Sequence, residues 1–195
     1  MTSRRIHTTN FASLVVVVAC LISVTSCKRI SPGSSVEQSV APGGGSTTPR
    51  PCTVPFNGDF VNDSAGVMDA DSRAKLEQKL DTLKSKGNID FAVVTVKSTG
   101  EQPIADYSLA LARCWDLGQT NPDKSGLLLL LAVDDRKWHM QISRSVEKIL
   151  SNDEIQQAAS FMTPELRNQN YAEGVDKCVD ATIGTIAPRR KFSMQ

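Results

Sequence analysis

The stretch Gly126-Leu-Leu-Leu-Leu-Leu-Ala-Val-Asp-Asp-Arg-Lys137 decides the fold. Its apolar run is unbroken from Leu127 to Val133 and stops at two aspartates. A strand with one wet face alternates apolar and polar residues, and an amphipathic helix shows a polar stripe. A short run with neither pattern reads as a strand covered on both faces. Asp134 and Asp135 then turn the chain, and residues 137–143 return with Trp138, Met140 and Ile142 on one face, which predicts a hairpin.

Working outward, residues 89–96 form a second apolar run rich in β-branched side chains, Phe91-Ala-Val-Val-Thr-Val96 at its centre. Between the two strands, Pro103 opens a helix at a position where its missing N–H costs nothing. Ile104, Tyr107, Leu111 and Trp115 give that helix its inner stripe, and Gly118 ends it. Upstream, Asp69 is placed to cap a helix whose Leu76, Leu80 and Leu83 recur at helical spacing before Gly87-Asn88 stops it. Phe60-Val61 leaves room for one short strand before that helix. Downstream, two helices are expected over about 152–162 and 171–186, the second with Val175, Cys178, Val179, Ile183 and Ile186 inside. Strand–helix–strand units require parallel neighbours. The expected class is therefore α/β, a three-layer α/β/α sandwich built on a mixed sheet of about four strands.

The chain ahead of this core has a different character. Arg4 and Arg5 precede the apolar run that starts at Phe11, and Val24-Thr25-Ser26-Cys27 follows it. The run is shorter than the roughly 17–25 apolar residues of a spanning helix, so residues 1–26 read as a signal peptide. Cys27 resembles the acylated cysteine of a bacterial lipobox, which makes it the expected lipidation site. An ordinary cleaved signal and an uncleaved anchor are the alternatives. Residues 27–55 are dominated by Ser, Pro, Gly and Thr and are expected to be a disordered tether spanning about 25–30 Å. Residues 56–187 are then the folded domain and 188–195 a disordered tail. The expected location is extracytoplasmic, in the periplasm or at the cell surface, held to the membrane by the lipid.

Charge excludes one class of partner. The chain carries 22 basic and 21 acidic residues, with no basic patch interleaved with aromatics, so nucleic acid is not expected. Beyond Cys27 the cysteines are Cys52, Cys114 and Cys178. Outside the cytosol two of them can pair. Cys52, just before the first strand, and Cys178, in the last helix, are the expected pair; the alternative leaves Cys114 and Cys178 as small buried hydrophobes.

Ligands of open α/β sheets bind outside the carboxyl ends of the parallel strands. Three loops are expected there: Asn62-Asp63-Ser64, Ser98-Thr99-Gly100-Glu101 and Asp134-Asp135-Arg136. Asp63, Asp134 and Asp135 are candidate metal ligands, because clustered carboxylates suit a hard divalent ion such as calcium or magnesium. Asn62, Ser98 and Arg136 are candidate binding residues beside them. The competing reading is that Asp and Asn simply turn the chain. No Gly-x-Ser-x-Gly elbow, phosphate loop or His-Glu-x-x-His motif occurs. His139 is the one histidine beyond the leader; out of phase with Trp138 and Met140, it is expected to face solvent.

Phe60-Val-Asn-Asp-Ser-Ala-Gly-Val-Met68, Phe91-Ala-Val-Val-Thr-Val96 and residues 126–137, with Trp115-Asp-Leu-Gly118, together resemble the TPM domain in order and spacing. The resemblance implies an α/β/α sandwich that is often membrane-attached. Family members include a thylakoid-lumen protein of photosystem II repair and an auxiliary protein of animal acetylcholine receptors. Acid phosphatase activity and calcium binding are associated with some members, and the family's acidic positions match Asp63, Asp134 and Asp135. One departure stands out. Ser143-Arg-Ser-Val-Glu147 keeps a glutamate but lacks the glycines that bacterial members commonly carry after the fourth strand. The expected function is an accessory or interaction module for a membrane or envelope complex, with a divalent-metal-dependent acid phosphatase as the alternative. Mass spectrometry of the mature N-terminus is expected to find Cys27 diacylated or triacylated; an unmodified terminus would remove the anchor.

Overall fold

The computed structural model describes residues 52–194. Cys27, the expected leader and the expected tether up to residue 51 lie outside the described residues. Eight elements follow one another: β1 (Val61–Asp63), α1 (Ala70–Gly87), β2 (Asp90–Val96), α2 (Ile104–Cys114), β3 (Gly126–Ala132), β4 (Lys137–Ile142), α3 (Asn152–Arg167) and α4 (Tyr171–Arg190). The sheet order is β1-β2-β3-β4, with β1, β2 and β3 parallel and β4 antiparallel to β3. Every residue of β2 and β3 is buried, as their unbroken apolar runs predict.

The layers follow from which side chains meet. Lys79 of α1 pairs with Asp176 and Asp180 of α4 at 2.5 and 2.6 Å, so those helices lie side by side, and α3 packs against α4. On β4, Trp138 shares a cleft with Leu166 and Tyr171, whereas Gln141 shares a groove with Leu109 and Ala112 of α2. Alternate side chains of a strand point to opposite faces. Hence α2 covers one face of the sheet and the α3–α4 hairpin the other. No helix of the described residues is long and apolar enough to cross a membrane.

Helix ends are set as the residue types require. Asp69 accepts from the Ser72 N–H at 2.8 Å and starts α1. Asn88, not Gly87, takes the left-handed φ of 51° that ends it. Gly87 instead gives room to Phe192, whose ring would have to shift for a Cβ there, 2.8 Å away. Ser151 and Glu154 form a reciprocal capping box at α3. That helix runs past the expected stop at 162 and through Pro164, which deprives only the exposed Ser160 of an intrahelical partner.

The domain is longer at both ends than residues 56–187. At the start, Cys52 is bonded to Cys114, with Cα atoms 6.0 Å apart, and buried Val54 accepts the Trp115 indole N–H at 2.9 Å. Cys52 and Val54 thus belong to the folded domain and not to the expected tether. This disulfide replaces the expected Cys52–Cys178 pairing. Cys178 is fully buried in α4 on the opposite face from α2, and burial pushes its thiol up to about 11. Closing a loop with a sequence separation of 62 contributes about 4 kcal/mol in chain-entropy terms. At the other end, the tail expected over 188–195 continues α4 and then packs. Arg189 holds Glu154 at 2.5 Å, Arg190 holds Asp123 at 2.6 Å, and Phe192 and Met194 lie against the core.

The Trp115-Asp-Leu-Gly118 motif has a packing role. Gly118 has φ +78°, and a Cβ there would sit 2.6 Å from the Gly126 nitrogen. A Cβ at Gly126 would meet the Leu117 carbonyl oxygen at 2.6 Å. Neither partner is a movable side-chain tip, so both positions require glycine. The Gly118 N–H also donates to buried Asp90 at 3.0 Å. Gly118→Ala is expected to lower the midpoint of thermal unfolding by roughly 5–10 °C, read by circular dichroism; an unchanged midpoint would show that the two backbones do not meet.

Candidate functional site

At the carboxyl edge of the sheet, Asp63 ends β1 and both its carboxylate oxygens already accept hydrogen bonds. Oδ1 accepts the N–H groups of Gly66 and Val67, both at 3.1 Å, and the Thr95 hydroxyl; Oδ2 accepts the Met68 N–H at 2.8 Å. The β1–α1 loop wraps around this side chain because its N–H groups have no strand or helix partner. Thr95, buried on β2 opposite Asp63, joins the loop to the neighbouring strand.

Asp135 does the same for the next loop. It accepts the Ser98 hydroxyl at 2.6 Å, the Thr99 N–H at 2.9 Å and the Thr99 hydroxyl at 3.2 Å. The β2–α2 loop is thus pinned to the β3–β4 turn. The Ser98 hydroxyl, the Thr99 N–H and then the Thr99 hydroxyl and Lys137 hold the Asp135 carboxyl below its ordinary value, against some burial. Asn62 is occupied as well: its amide donates to the Pro55 carbonyl at 3.3 Å and its oxygen accepts the Ser64 hydroxyl at 2.6 Å. Arg136, at φ 53° in the turn, lines a cleft of about 490 Å³ with Trp138, Thr163, Arg167 and Tyr171. Asp134 is exposed, and only its backbone is tied, donating its N–H to the Lys97 carbonyl at 2.8 Å.

The structure brings Ser98 to Asp135 but does not bring Asp63 to the Asp134–Asp135 pair. Strand β2 lies between them, a lateral separation of about 9.5 Å. Thr95, the register partner of Asp63, faces Leu131, three residues short of Asp134. Among the described residues no group of three or more His, Cys, Asp or Glu side chains is placed to hold a metal ion. A hard divalent cation wants several free oxygens at once, and Asp63 Oδ1 already has three donors. The residues present do not fit a calcium or magnesium centre in this arrangement.

His139 differs from its expected place. It is half-buried on β4, and burial lowers its pKa, partly offset by the Gln141 side chain. The covering helix α2 reaches over β4 and takes His139 out of open solvent.

Sequence reading missed other carboxylates that act on the backbone. Glu77 of α1 accepts the N–H groups of Phe60 and Val61 at 2.7 Å each and so docks β1 on its helix. Its signal is position: three residues before Leu80, it lies at the edge of the buried stripe. Asp90, 3% exposed, accepts from Gly118 and from the Asn121 amide at 3.0 and 3.1 Å. Its other oxygen has no hydrogen bond and lies 3.5 Å from Lys84 Nζ. An acidic residue heading an otherwise apolar strand is the signal for it.

Replacing Asp63 by Asn puts an NH₂ group against donors, with a cost of about 2 kcal/mol. Asp63→Asn is therefore expected to melt several degrees lower, Asp134→Asn to melt like the parent, and Asp135→Asn to fall between. The Asp135→Asn deficit is expected to vanish in acid. A lowered carboxyl contributes fully above its ordinary 3.8, and that contribution is lost as pH falls through the folded value below it. Equal melting of Asp63→Asn and Asp134→Asn would contradict the assignment.

Comparison with known proteins agrees with this fold. The TPM domain profile matches residues 61–185. The UPF0603 protein YdjH of Bacillus subtilis (strain 168) is 26% identical over 116 residues, which cover 60% of this chain and 43% of YdjH, so the chain spans under half the length of that relative. The N-terminal domain of a P. gingivalis protein, solved by solution NMR, superposes with a TM-score of 0.63 at 30% identity, covering 69% of this chain and 85% of that one. The NMR structure of the BA42 protein of Bizionia argentinensis shares the fold at 12% identity, with a TM-score of 0.56 and coverage of 66% and 86%. The four-stranded mixed sheet, its helices and the family profile across most of the described domain give one conclusion: this chain belongs to the TPM-domain family.

Proposed function

We propose that the chain is an exported, membrane-tethered TPM-domain module that acts by binding a membrane or envelope complex. The observation that carries this reading is where the carboxylates of the carboxyl edge spend their oxygens. Asp63 and Asp135 serve the chain's own amides and hydroxyls, leaving exposed Asp134 alone. The leader, Cys27 and the polar tether supply the membrane attachment in this reading. A docking module needs a rigid surface, and ties between neighbouring loops provide one.

The rival is a metal-dependent acid phosphatase with Asp63, Asp134 and Asp135 around calcium or magnesium, which would require the β1–α1 loop to release Asp63. Crosslinking in the native membrane followed by affinity isolation separates the two. The expected result is a reproducible membrane-protein partner, with no hydrolysis of p-nitrophenyl phosphate by the purified chain in calcium or magnesium. Metal-dependent hydrolysis lost in Asp134→Asn, without such a partner, would overturn the proposal.

A further inference from the structure

The two ends of the domain differ in how their charge is used. At the carboxyl edge Asp63 and Asp135 are tied to the chain's own donors, and Arg136 and Arg167 line the cleft beside them. At the opposite end, where β2 and β3 begin and β4 finishes, a groove of about 850 Å³ runs between α2 and the loop after β4. Arg113, Lys124, Arg144 and Lys148 line it, together with Asp116 and Glu147. Among the described residues no side-chain hydrogen bond or salt bridge ties any of these four cations, whereas Arg189 and Arg190 at the same end are paired with Glu154 and Asp123. Basic residues often sit at helix C-termini to complement the dipole, and Arg113 in the last turn of α2 has that explanation. Lys124, Arg144 and Lys148 lie in loops and do not. The Ser143 and Ser145 hydroxyls beside them serve the chain itself, Ser143 accepting the Gly126 N–H at 3.1 Å and Ser145 donating to the Lys124 carbonyl at 2.7 Å.

The disulfide fixes where the rest of the chain joins. Cys52 is held to Cys114 in the last turn of α2, at the same end of the domain as the groove. The described chain therefore begins at that end. We infer that this groove is a membrane-facing site for the phosphate-bearing headgroups of anionic phospholipids, which orients the tethered domain with the groove toward the bilayer and the carboxyl edge of the sheet outward. The orientation rests on the proposed anchor at Cys27; the affinity of the groove does not. Cations near an anionic surface act additively, each changing partition about fivefold, and the two acidic residues reduce the net effect.

The test uses the mature chain from Cys27 onward carrying Cys27→Ser, so that no lipid assists binding, in cosedimentation with phosphatidylcholine vesicles with and without phosphatidylglycerol. The expected result is salt-sensitive binding only to the anionic vesicles, reduced more than about tenfold by Arg144→Ser with Lys148→Ser and unchanged by Lys97→Ser with Arg167→Ser at the other end. Circular dichroism checks that each variant is folded. Equal loss in both double variants, or none in either, would overturn the site. Stabilisation by inorganic phosphate that depends on Arg144 and Lys148, without vesicle binding, would assign the groove to a free phosphate instead and overturn the lipid proposal. An unacylated Cys27 in the native protein would remove the tether reading and leave the vesicle result standing.

Discussion

The hydrogen bond from a backbone N–H to a carboxylate is the interaction on which the irregular parts of this domain depend. Strands β2 and β3 are buried throughout, so the loops that leave them run straight from the interior to the surface. Loop amides near the core need acceptors that no strand or helix supplies. Asp63, Glu77, Asp90 and Asp135 provide them, each reaching a segment distant in sequence or a loop that folds back on itself. Charged acceptors make these bonds stronger than neutral ones, and each is lost if its carboxylate is diverted to a ligand.

The same bookkeeping explains why acidic residues at a ligand-binding edge need not be ligands. Position at the carboxyl ends of parallel strands is a statement about access; chemistry also requires free lone pairs and convergence. Ser98, Thr99 and Asp135 converge, but on one another. The opposite end has the reverse character, with cations around an open groove that lack side-chain partners among the described residues, and with the Cys52–Cys114 disulfide at the same end of α2.

The fold was legible where burial writes itself into the sequence. Unbroken apolar runs gave β2 and β3, and leucine spacing gave α1. The aspartate pair after Val133 gave the hairpin. Readings failed where a single distant contact decides. Phe192 over Gly87 keeps the last residues on the core, and nothing local in Lys191-Phe-Ser-Met194 announces that partner. Cys52 pairs with Cys114 because α2 and α4 cover opposite faces of the sheet, which spacing along the chain does not encode. The candidate loops were found, but the direction of each carboxylate was not. Asp63 turns into its own loop because Thr95 stands beside it on β2, a register fact that only strand pairing supplies.

The central claim is that Asp63 and Asp135 are structural acceptors whose oxygens are not offered to a cation. Thermal unfolding of the purified chain in calcium, in magnesium and in chelator tests it most directly. A cation bound at a hundred times its dissociation constant would add about 2.7 kcal/mol to the folded state. Superimposable unfolding curves are expected in all three solutions. A rise of several degrees in calcium or magnesium, abolished by Asp63→Asn, would contradict it.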